Sequence, residues 1–353
     1  MNSFTAPEKL VPNNKYDSTQ VFRFVAAFMV IILHSTFYAS ERLGIKIPLY
    51  EQGSNGVRLF FVISGFVMII SSEKFKIKAG GWKVFAIKRI IRIVPIYWIV
   101  TTYKLFILIV ASSVVYHAKL DVSYILKSYF FIPAMNVDGK LQPFLGVGWT
   151  LNFEMFFYFF FTVALAFRLN TILFLSLIFI PLAILSNFIN TSWPDVRFYA
   201  NPIVLDFLYG MIAGQLILKN KKLPPKIAVA VIGIGLLYLF LPQLAAKNLF
   251  ENLLIGVAAF LVIYGGASIE NLWTSKPGWL IYLGGASYSL YLVHPLIAPL
   301  APSLLSMFRL KWVVLSIILS IVFAIAAGTI FYKFCEKPIS LFLSKLAKKY
   351  KII

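Results

Sequence analysis

The sequence predicts an all-α polytopic membrane protein with about ten transmembrane helices and with both termini in the cytoplasm. Two observations predict this class. Of the 353 residues, 60% are hydrophobic and only 13% are charged, whereas soluble domains carry about 25% charged residues. Apolar runs of about 20 residues also recur along nearly the whole chain, and a helix of that length crosses the roughly 30 Å of hydrocarbon in a bilayer.

Ten apolar stretches are predicted to span the membrane. The polar N-terminal segment contains no apolar stretch and no cleavage site, so it is not a signal peptide. The predicted division is a cytoplasmic segment 1–19, a transmembrane domain 20–338 and a basic cytoplasmic tail 339–353. In chain order, the ten stretches cover approximately residues 20–40, 54–72, 94–115, 148–167, 171–189, 199–218, 227–242, 249–266, 279–300 and 312–332.

The distribution of Lys and Arg predicts the orientation of the chain. The formal net charge is +20, and a nucleic-acid partner is one possible cause of such a value. With the N-terminus inside, 21 of the 33 basic residues lie in inner segments, 9 lie in outer loops and 3 lie within spans. This asymmetry follows the positive-inside rule. Since it accounts for most of the excess charge, no nucleic acid is expected as a partner.

Ionisable residues within the apolar stretches are the candidates for function. Each such group costs roughly 2.5–3.5 kcal/mol to insert at the centre of a membrane helix, so it marks a functional site by default. The alternative for each is a structural residue that is hydrogen-bonded between helices. The set comprises Arg23, His34, Arg58, Lys104, Glu154, Asp206 and His294.

Counting residues from the predicted span ends places four of these groups in one layer. His34, Arg58, Glu154 and His294 are each expected roughly 6–9 Å below the outer edge, at 1.5 Å per residue. Two roles stay open for Glu154: it orients the imidazole of His34, or it forms an ion pair with Arg58. Two histidines and one glutamate are compatible with zinc. The sequence has neither an HExxH motif nor closely spaced histidines, so no metal site is predicted.

Three arginines are predicted nearer the cytoplasmic side. Arg23 lies eleven residues before His34, so both side chains project from one face of the first span, roughly 16 Å apart along its axis. Arg89 and Arg92 are three residues apart and share a helical face, and Pro95 is expected to break or restart the helix nearby. An anionic donor that enters from the cytoplasm would meet these arginines first and His34 last. The alternative for Arg89 and Arg92 is simple positive-inside anchoring.

Aromatic residues and one loop are the remaining features of the outer side. The loop at about 116–147 contains "SYILKSYFFI", whose helix-spaced apolar residues predict a segment that lies in the interface or re-enters the membrane. Trp149, Tyr158 and Tyr288 are candidates for stacking on a sugar ring, although a place in the interfacial aromatic belt is the favoured alternative. His117 is expected to be solvated or interfacial.

Seven motifs occur in a fixed order along residues 20–338. They are "RFVAAFMVIILH", "GVRLFFVISGFVM", "FAIKRIIRIVPIYW", "VGWTLNFEMFFY", "FLYGMIAG", "GASYSLYLVHPLI" and "FCEKP". In this order they resemble the membrane acyltransferase 3 family, which transfers acyl groups to sugars of surface polysaccharides. The sequences of these motifs are most similar to those of the exopolysaccharide O-acetyltransferase branch, whose type case modifies succinoglycan.

The resemblance implies a donor, a location and a site. The donor would be acetyl-CoA on the cytoplasmic side of a bacterial inner membrane, with no bound cofactor. Arg89 and Arg92 match the family's paired arginines, which would meet the donor phosphates. Arg23 and His34 match its arginine–histidine pair, whose histidine is essential for transfer. At Arg58 the chain departs from the family, which more often has an acidic residue there, so no role of that acid carries over.

These features together predict an integral-membrane O-acyltransferase. It would move an acetyl group from acetyl-CoA to a hydroxyl of a cell-surface polysaccharide, such as an exopolysaccharide or O-antigen, or of its lipid-linked sugar precursor. A neutral His34 would act as general base, with Glu154 as its catalytic partner. The residues predicted to line the acceptor pocket are Arg58, Trp149, Tyr288 and His294.

Direct transfer is expected rather than an acyl-serine intermediate, because Ser35 faces about 100° away from His34 on a helix. Some family members carry an additional extracytoplasmic domain. This chain ends at Ile353, so the membrane domain is expected to act alone. Two other classes stay open: a transporter of a lipid-linked sugar or anion, and a non-catalytic partner in polysaccharide assembly.

Overall fold

The computed structural model is helical, as the sequence predicts. It describes residues 16–77, 79–189, 194–241, 249–273 and 275–350, and it contains no β-strand within those ranges. Most of the predicted N-terminal segment 1–19 and the last three residues of the predicted tail lie outside the described residues.

The helices are numbered in chain order over the described residues. A short π-helical segment, Tyr332–Glu336, joins the last two of them. They are α1 (Asp17–Leu43), α2 (Asn55–Ile77), α3 (Gly81–Val110), α4 (Val122–Tyr129), α5 (Trp149–Ala166), α6 (Thr171–Leu185), α7 (Pro194–Tyr199), α8 (Leu205–Leu218), α9 (Pro225–Phe240), α10 (Leu249–Ser268), α11 (Gly278–Gly285), α12 (Ser287–Ile297), α13 (Leu300–Met307), α14 (Val313–Phe331) and α15 (Lys337–Lys349).

Seven helical runs within the described residues are long and apolar enough to cross a membrane. Three shorter apolar helices, α6, α8 and α9, coincide with three more of the predicted stretches. The chain is therefore a multi-pass membrane protein, while the count of ten spans and the cytoplasmic placement of the termini stay predictions. The seven runs are Asp17–Leu43, Glu51–Lys76, Gly81–Val110, Gly146–Ala166, Leu249–Ser268, Ser287–Met307 and Val313–Lys349.

The prediction that Pro95 breaks the third span is wrong. The helix begins at Gly81, not near residue 94, and continues through Pro95 to Val110. A proline within a helix removes one backbone N–H donor, and such a loss is tolerated in membrane helices, where neighbouring groups can satisfy the backbone positions that are freed. The proline therefore lies inside a continuous spanning helix.

The two ends of α1 are fixed by specific contacts. The backbone N–H groups of Asp17 and Ser18 both donate to the carboxylate of Glu270, each at 3.0 Å, and Lys276 forms an ion pair with the same carboxylate. A carboxylate at a helix N-terminus satisfies free N–H groups and interacts favourably with the helix dipole. At the other end, Gly44 adopts φ +63°, the left-handed conformation that commonly ends helices.

Two glycines bring the start of α2 against the middle of α1. A Cβ on Gly53 would lie 2.3 Å from the carbonyl oxygen of Met29, and one on Gly56 would lie 2.3 Å from that of Ala26. Gly53, just before α2, contacts Met29, and the later Gly56 contacts the earlier Ala26. The two helices are therefore antiparallel. Because α1 ends only at Leu43, its last turns extend beyond the start of α2 and can wall a cavity there.

Two further glycines let α2 and α8 approach backbone to backbone. A Cβ on Gly65 would lie 2.0 Å from the carbonyl oxygen of Phe207, and one on Gly210 would lie 1.9 Å from that of Val62. Small residues commonly mediate such close crossings in membranes, where van der Waals packing drives helix association. The crossing fixes α2, one wall of the candidate site, against the rest of the bundle.

Replacement of Gly210 by alanine is expected to destabilise the protein. The added Cβ would overlap the Val62 backbone, so the two helices must separate, and overpacking typically costs about 1–3 kcal/mol. The measurement is the thermal unfolding midpoint of purified protein in detergent, with Gly233→Ala as the matched control. Gly233 is a mid-helix residue of α9 with no atom within 4 Å of its ideal Cβ. Equal midpoints for G210A and G233A would contradict the close crossing.

Candidate active site

A first cavity, of about 140 Å³, lies between α1, α2, α3, α5 and α12. We name it the arginine cavity after Arg23, Arg89 and Arg92, which all line it together with the carboxylate of Glu154. Three arginines against one carboxylate give the lining a positive balance. Helix packing thus brings together the arginines predicted from the sequence, and the cavity suits an anionic ligand.

Polar atoms in the arginine cavity are only partly satisfied. Glu154 Oε1 accepts hydrogen bonds from Ser64 Oγ at 3.1 Å and from the Tyr158 hydroxyl. In contrast, Arg89 Nε and Ser287 Oγ are buried without a hydrogen-bond partner among the described residues. Buried donors normally have partners. With Gln20 Oε1, three orphaned polar atoms of lining residues therefore indicate a site that a polar ligand completes.

A second and larger cavity, of about 830 Å³, lies on the side of the bundle where α1 ends. We name it the histidine cavity after His34, which lines it together with Trp149, Lys104 and His117. Its volume falls within the range of about 300–1,000 Å³ that is typical of small-molecule sites. Trp149, which the sequence predicts to line the acceptor pocket, therefore lies beside the same cavity as His34, while its stacking on a sugar stays a prediction.

Two histidines meet at the wall of the histidine cavity. His34 Nδ1 lies 3.0 Å from the carbonyl oxygen of Val30 and 3.2 Å from His294 Nε2. His294 Nδ1 lies 3.1 Å from the carbonyl oxygen of Leu290. His294 is fully buried, whereas His34 is only partly so.

These partners assign the neutral tautomers of both rings. A carbonyl only accepts, so His294 carries its proton on Nδ1 and presents Nε2 as an acceptor. His34 Nδ1 then faces two acceptors, the Val30 carbonyl and His294 Nε2, and must itself carry a proton. The lone pair of neutral His34 is therefore on Nε2, which has no hydrogen-bond partner among the described residues. An imidazole with a free Nε2 beside a cavity has the form that a general base needs.

A thin partition separates the two cavities. Tyr291 and Thr150 line the arginine cavity, and Val147 lines the histidine cavity. The Tyr291 hydroxyl donates to the Val147 carbonyl and accepts from Thr150 Oγ1, both at 3.0 Å. The ring of Tyr291 also lies 5.9 Å from that of His294. One hydrogen-bonded layer thus separates the arginines from the histidine pair.

A cluster of charged side chains forms the rim of the histidine cavity. His117 bonds through Nε2 to Glu41 and through Nδ1 to Asp138, both at 2.6 Å. The guanidinium of Arg42 stacks on the ring of Tyr116 at 3.5 Å. About half of the His117 side chain is exposed, which agrees with the expectation that it is solvated or interfacial. The cluster ties the end of α1 to the segments on either side of α4 and holds the rim together.

The predicted single layer of titratable groups is wrong for Arg58 and Glu154. Arg58 forms a buried ion pair with Asp206 and donates to Asn252 Oδ1 at 2.9 Å, so it lines neither cavity and is not an acceptor-pocket residue. Neither role left open for Glu154 is seen, because its partners are not His34 or Arg58. The depth of Arg58, counted from the predicted end of its span, is wrong because α2 begins beside the middle of α1 and not at its end.

Tyr288 and His294 also differ from their predicted places. Tyr288 lines the arginine cavity and not the histidine cavity, and its burial excludes a place in the lipid-facing aromatic belt. His294 contacts His34 as a neighbour in the wall. Sequence reasoning missed Tyr291 and Thr150, although both belong to quoted motifs, because nothing in those motifs shows that the two side chains meet.

Within the described ranges, no group of three or more His, Cys, Asp and Glu side chains is arranged to hold a metal ion.

The rim cluster is expected to contribute stability that falls as the pH rises. The hydrogen bond with Glu41, the largest cause, raises the pKa of His117, against the opposing effect of partial burial. The protonated form is thus favoured in the folded state. Its contribution is complete below a pH of about 6.5 and is lost as the pH rises through the raised pKa. The measurement is the thermal unfolding midpoint of wild type and of His117→Gln.

The gap between the two midpoints should be wider near pH 5.5 than near pH 8.5. A gap that does not change with pH would contradict the ionic character of the cluster. Arg168→Gln is the control variant, because Arg168 is exposed at the end of α5 and lines neither cavity.

Comparison with known proteins assigns the family. The model of an acyltransferase domain matches residues 16–332. The chain is also 33% identical over 264 residues to the exopolysaccharide production protein ExoZ of Rhizobium meliloti (strain 1021), which covers 73% of this chain and 80% of the relative. No solved structure matches. The family match includes both cavities, and the chain belongs to the membrane acyltransferase 3 family.

Proposed function

We propose that the protein transfers an acetyl group from acetyl-CoA to a hydroxyl of an exopolysaccharide or of its lipid-linked precursor, with His34 as general base. The observation that carries the proposal is the arrangement of the two cavities in series: a positive cavity for the donor lies behind a cavity with an imidazole whose Nε2 is free. The relative from Rhizobium meliloti, a protein of exopolysaccharide production, supports the class of acceptor. The proposed location is a bacterial inner membrane with the arginine cavity on its cytoplasmic side.

The proposed reaction is direct acyl transfer. The acceptor oxygen attacks the thioester carbonyl while His34 Nε2 takes the hydroxyl proton. As the carbon–sulfur bond breaks, the imidazolium returns that proton to the thiolate, so the products are the acetyl ester and the free thiol of CoA. A general base of this kind contributes typically 10²–10⁴-fold to rate. No serine nucleophile is needed.

His294 acts through His34 in this mechanism. When His34 Nε2 is protonated, its Nδ1 proton stays between the Val30 carbonyl and His294 Nε2. Both acceptors stabilise the imidazolium and keep the ring turned toward the cavity. This is the task that the third member of a catalytic triad performs, so His294 takes the orienting role that the sequence left to Glu154.

The arginine cavity serves the donor. Arg23, Arg89 and Arg92 meet the phosphates and the polar arm of acetyl-CoA through charge-assisted hydrogen bonds. At about 140 Å³ the cavity is smaller than a typical cofactor-sized site. Donor binding therefore widens it, and the thioester reaches His34 only when the layer around Tyr291 gives way.

One assay separates the enzyme from the two other functional classes. Purified protein is incubated with radiolabelled acetyl-CoA and an acceptor glycan. Thioester consumption with label on the glycan supports the transferase. Binding without turnover would favour a transporter or a non-catalytic assembly partner.

Replacement of His34 by glutamine is expected to reduce transfer at least 100-fold. The amide fills a similar volume but cannot accept a proton, so the general-base contribution is lost. The measurements are label transfer in the purified assay and the O-acetyl content of the cellular product. Retained membrane insertion and an unchanged unfolding midpoint show that the loss is chemical. Normal O-acetyl content in cells that carry H34Q would contradict the role of His34 as general base.

A double-mutant cycle tests whether His294 works through His34. His294→Asn should lower kcat while the KM for acetyl-CoA stays constant. The double variant should be no slower than H34Q alone, because removal of the base leaves nothing to orient. Additive losses would show that His294 has a separate role.

Replacement of Arg89 by glutamine is expected to raise the KM for acetyl-CoA about 10- to 100-fold, with a smaller effect on kcat. Charge-assisted hydrogen bonds are worth about 1.5–3 kcal/mol, and each 1.4 kcal/mol is tenfold in affinity. Initial rates over a range of acetyl-CoA concentrations give both constants. Arg168→Gln is again the matched control, because it removes a surface arginine outside both cavities. An unchanged KM in R89Q would leave Arg89 as a simple membrane anchor.

A further inference from the structure

Lys104 is a charged residue inside a spanning helix that the proposed mechanism does not use. It lies in α3, six residues before the helix ends at Val110, and it lines the histidine cavity together with His34. Its side chain is partly buried. A lysine this far inside a spanning segment pays the insertion cost of an ionisable group, and such residues ordinarily pair with an opposite charge.

The ammonium of Lys104 has a neutral partner only. Nζ donates to the carbonyl oxygen of Phe144 at 2.6 Å, which occupies one of its three N–H groups. No carboxylate among the described residues lies within ion-pair distance of it. Arg58, by contrast, is paired with the buried carboxylate of Asp206, and Lys276 with the largely buried carboxylate of Glu270. Lys104 therefore lacks the counter-ion that comparable groups have.

The carboxylates that line the histidine cavity already have a partner other than Lys104. Glu41 and Asp138 are the acidic residues in its lining, and both are bonded to His117. Lys140, a further lining residue, likewise has no carboxylate partner among the described residues. The lining of the histidine cavity thus carries an excess of positive charge, and Lys104 is more buried than Lys140.

We propose that the histidine cavity binds its acceptor through an anionic oxygen group that pairs with Lys104 and so supplies the missing counter-ion. The proposal rests on the proposed function, since it names the class of acceptor for the same site. The group is a carboxylate of an acidic sugar or a phosphate of a lipid-linked sugar, both of which a primary ammonium binds. Pairing with Lys104 anchors the acceptor while a hydroxyl elsewhere on it meets His34 Nε2.

The test uses the full-length protein in detergent with labelled acetyl-CoA and four acceptors. An acidic oligosaccharide is compared with its carboxyl-reduced form, each supplied free and on a lipid diphosphate. The wild type should use the anionic acceptors with a kcat/KM about 10- to 100-fold above the free neutral one. A preference that follows the carboxylate assigns the anion to the sugar, and one that follows the diphosphate assigns it to the carrier.

Lys104→Met should abolish this preference. Its kcat/KM for the anionic acceptors is expected to fall to the level that the same variant shows with the free neutral one, while the KM for acetyl-CoA stays as in wild type. Methionine keeps the apolar stem of lysine, so packing is preserved. Lys127→Met is the matched control and should behave as wild type, because Lys127 is exposed on α4 and lines neither cavity.

Two results would overturn the proposal, and they are distinguishable. Equal losses on charged and neutral acceptors in K104M, or a wild type indifferent to acceptor charge, would show that Lys104 has a structural role alone. Absence of transfer to all four acceptors by the wild type would instead refute the proposed function, and the counter-ion role with it.

Discussion

A bilayer interior does not solvate an isolated charge, and this constraint governs where the charged side chains of the spanning helices lie. Arg58 is satisfied by Asp206 and Asn252, and this group connects α2 to α8 and α10. Glu154 accepts from Ser64 on α2 and thereby connects α5 to the same helix. Breaking one member of such a buried group is strongly destabilising. The wall that α2 contributes to the arginine cavity therefore depends on α2 being held in place by satisfied polar contacts.

Helix α1 connects the two cavities and sets the distance between Arg23 and His34. It carries Arg23 into one cavity and His34 into the other, and its rigid rise of about 1.5 Å per residue fixes their separation at roughly 16 Å. Under the proposed function, a donor bound by its phosphates in the arginine cavity must reach His34 with its thioester. The separation would suit a long, flexible acyl carrier, and the layer formed by Tyr291 and Thr150 would control its passage.

The sequence predicts those features that depend on one helix at a time. The apolar stretches, the shared face of Arg23 and His34, and the arginine pair on α3 all follow from local periodicity and appear in the structure. The depth of Arg58 did not follow, because it depends on where α2 starts relative to α1. Close contact at Gly53 and Gly56 decides that position, and such a contact cannot be read from hydropathy. The sequence shows Asp206 as a charge within an apolar stretch. Its ion pair with Arg58 could not be predicted, because it depends on the crossing of α2 and α8.

The histidine pair shows how tertiary contact separates residues that look equivalent in sequence. Each ring bonds through Nδ1 to the carbonyl four residues earlier in its own helix, Val30 for His34 and Leu290 for His294. Local structure alone would thus give both residues the same tautomer and a free Nε2. The packing of α12 against α1 removes the symmetry, because it directs Nε2 of His294 at Nδ1 of His34 and leaves Nε2 of His34 beside the cavity. His294 is thus buried behind His34, while His34 keeps the free Nε2 that the proposed general base needs. This difference is set by the helix packing, not by either motif.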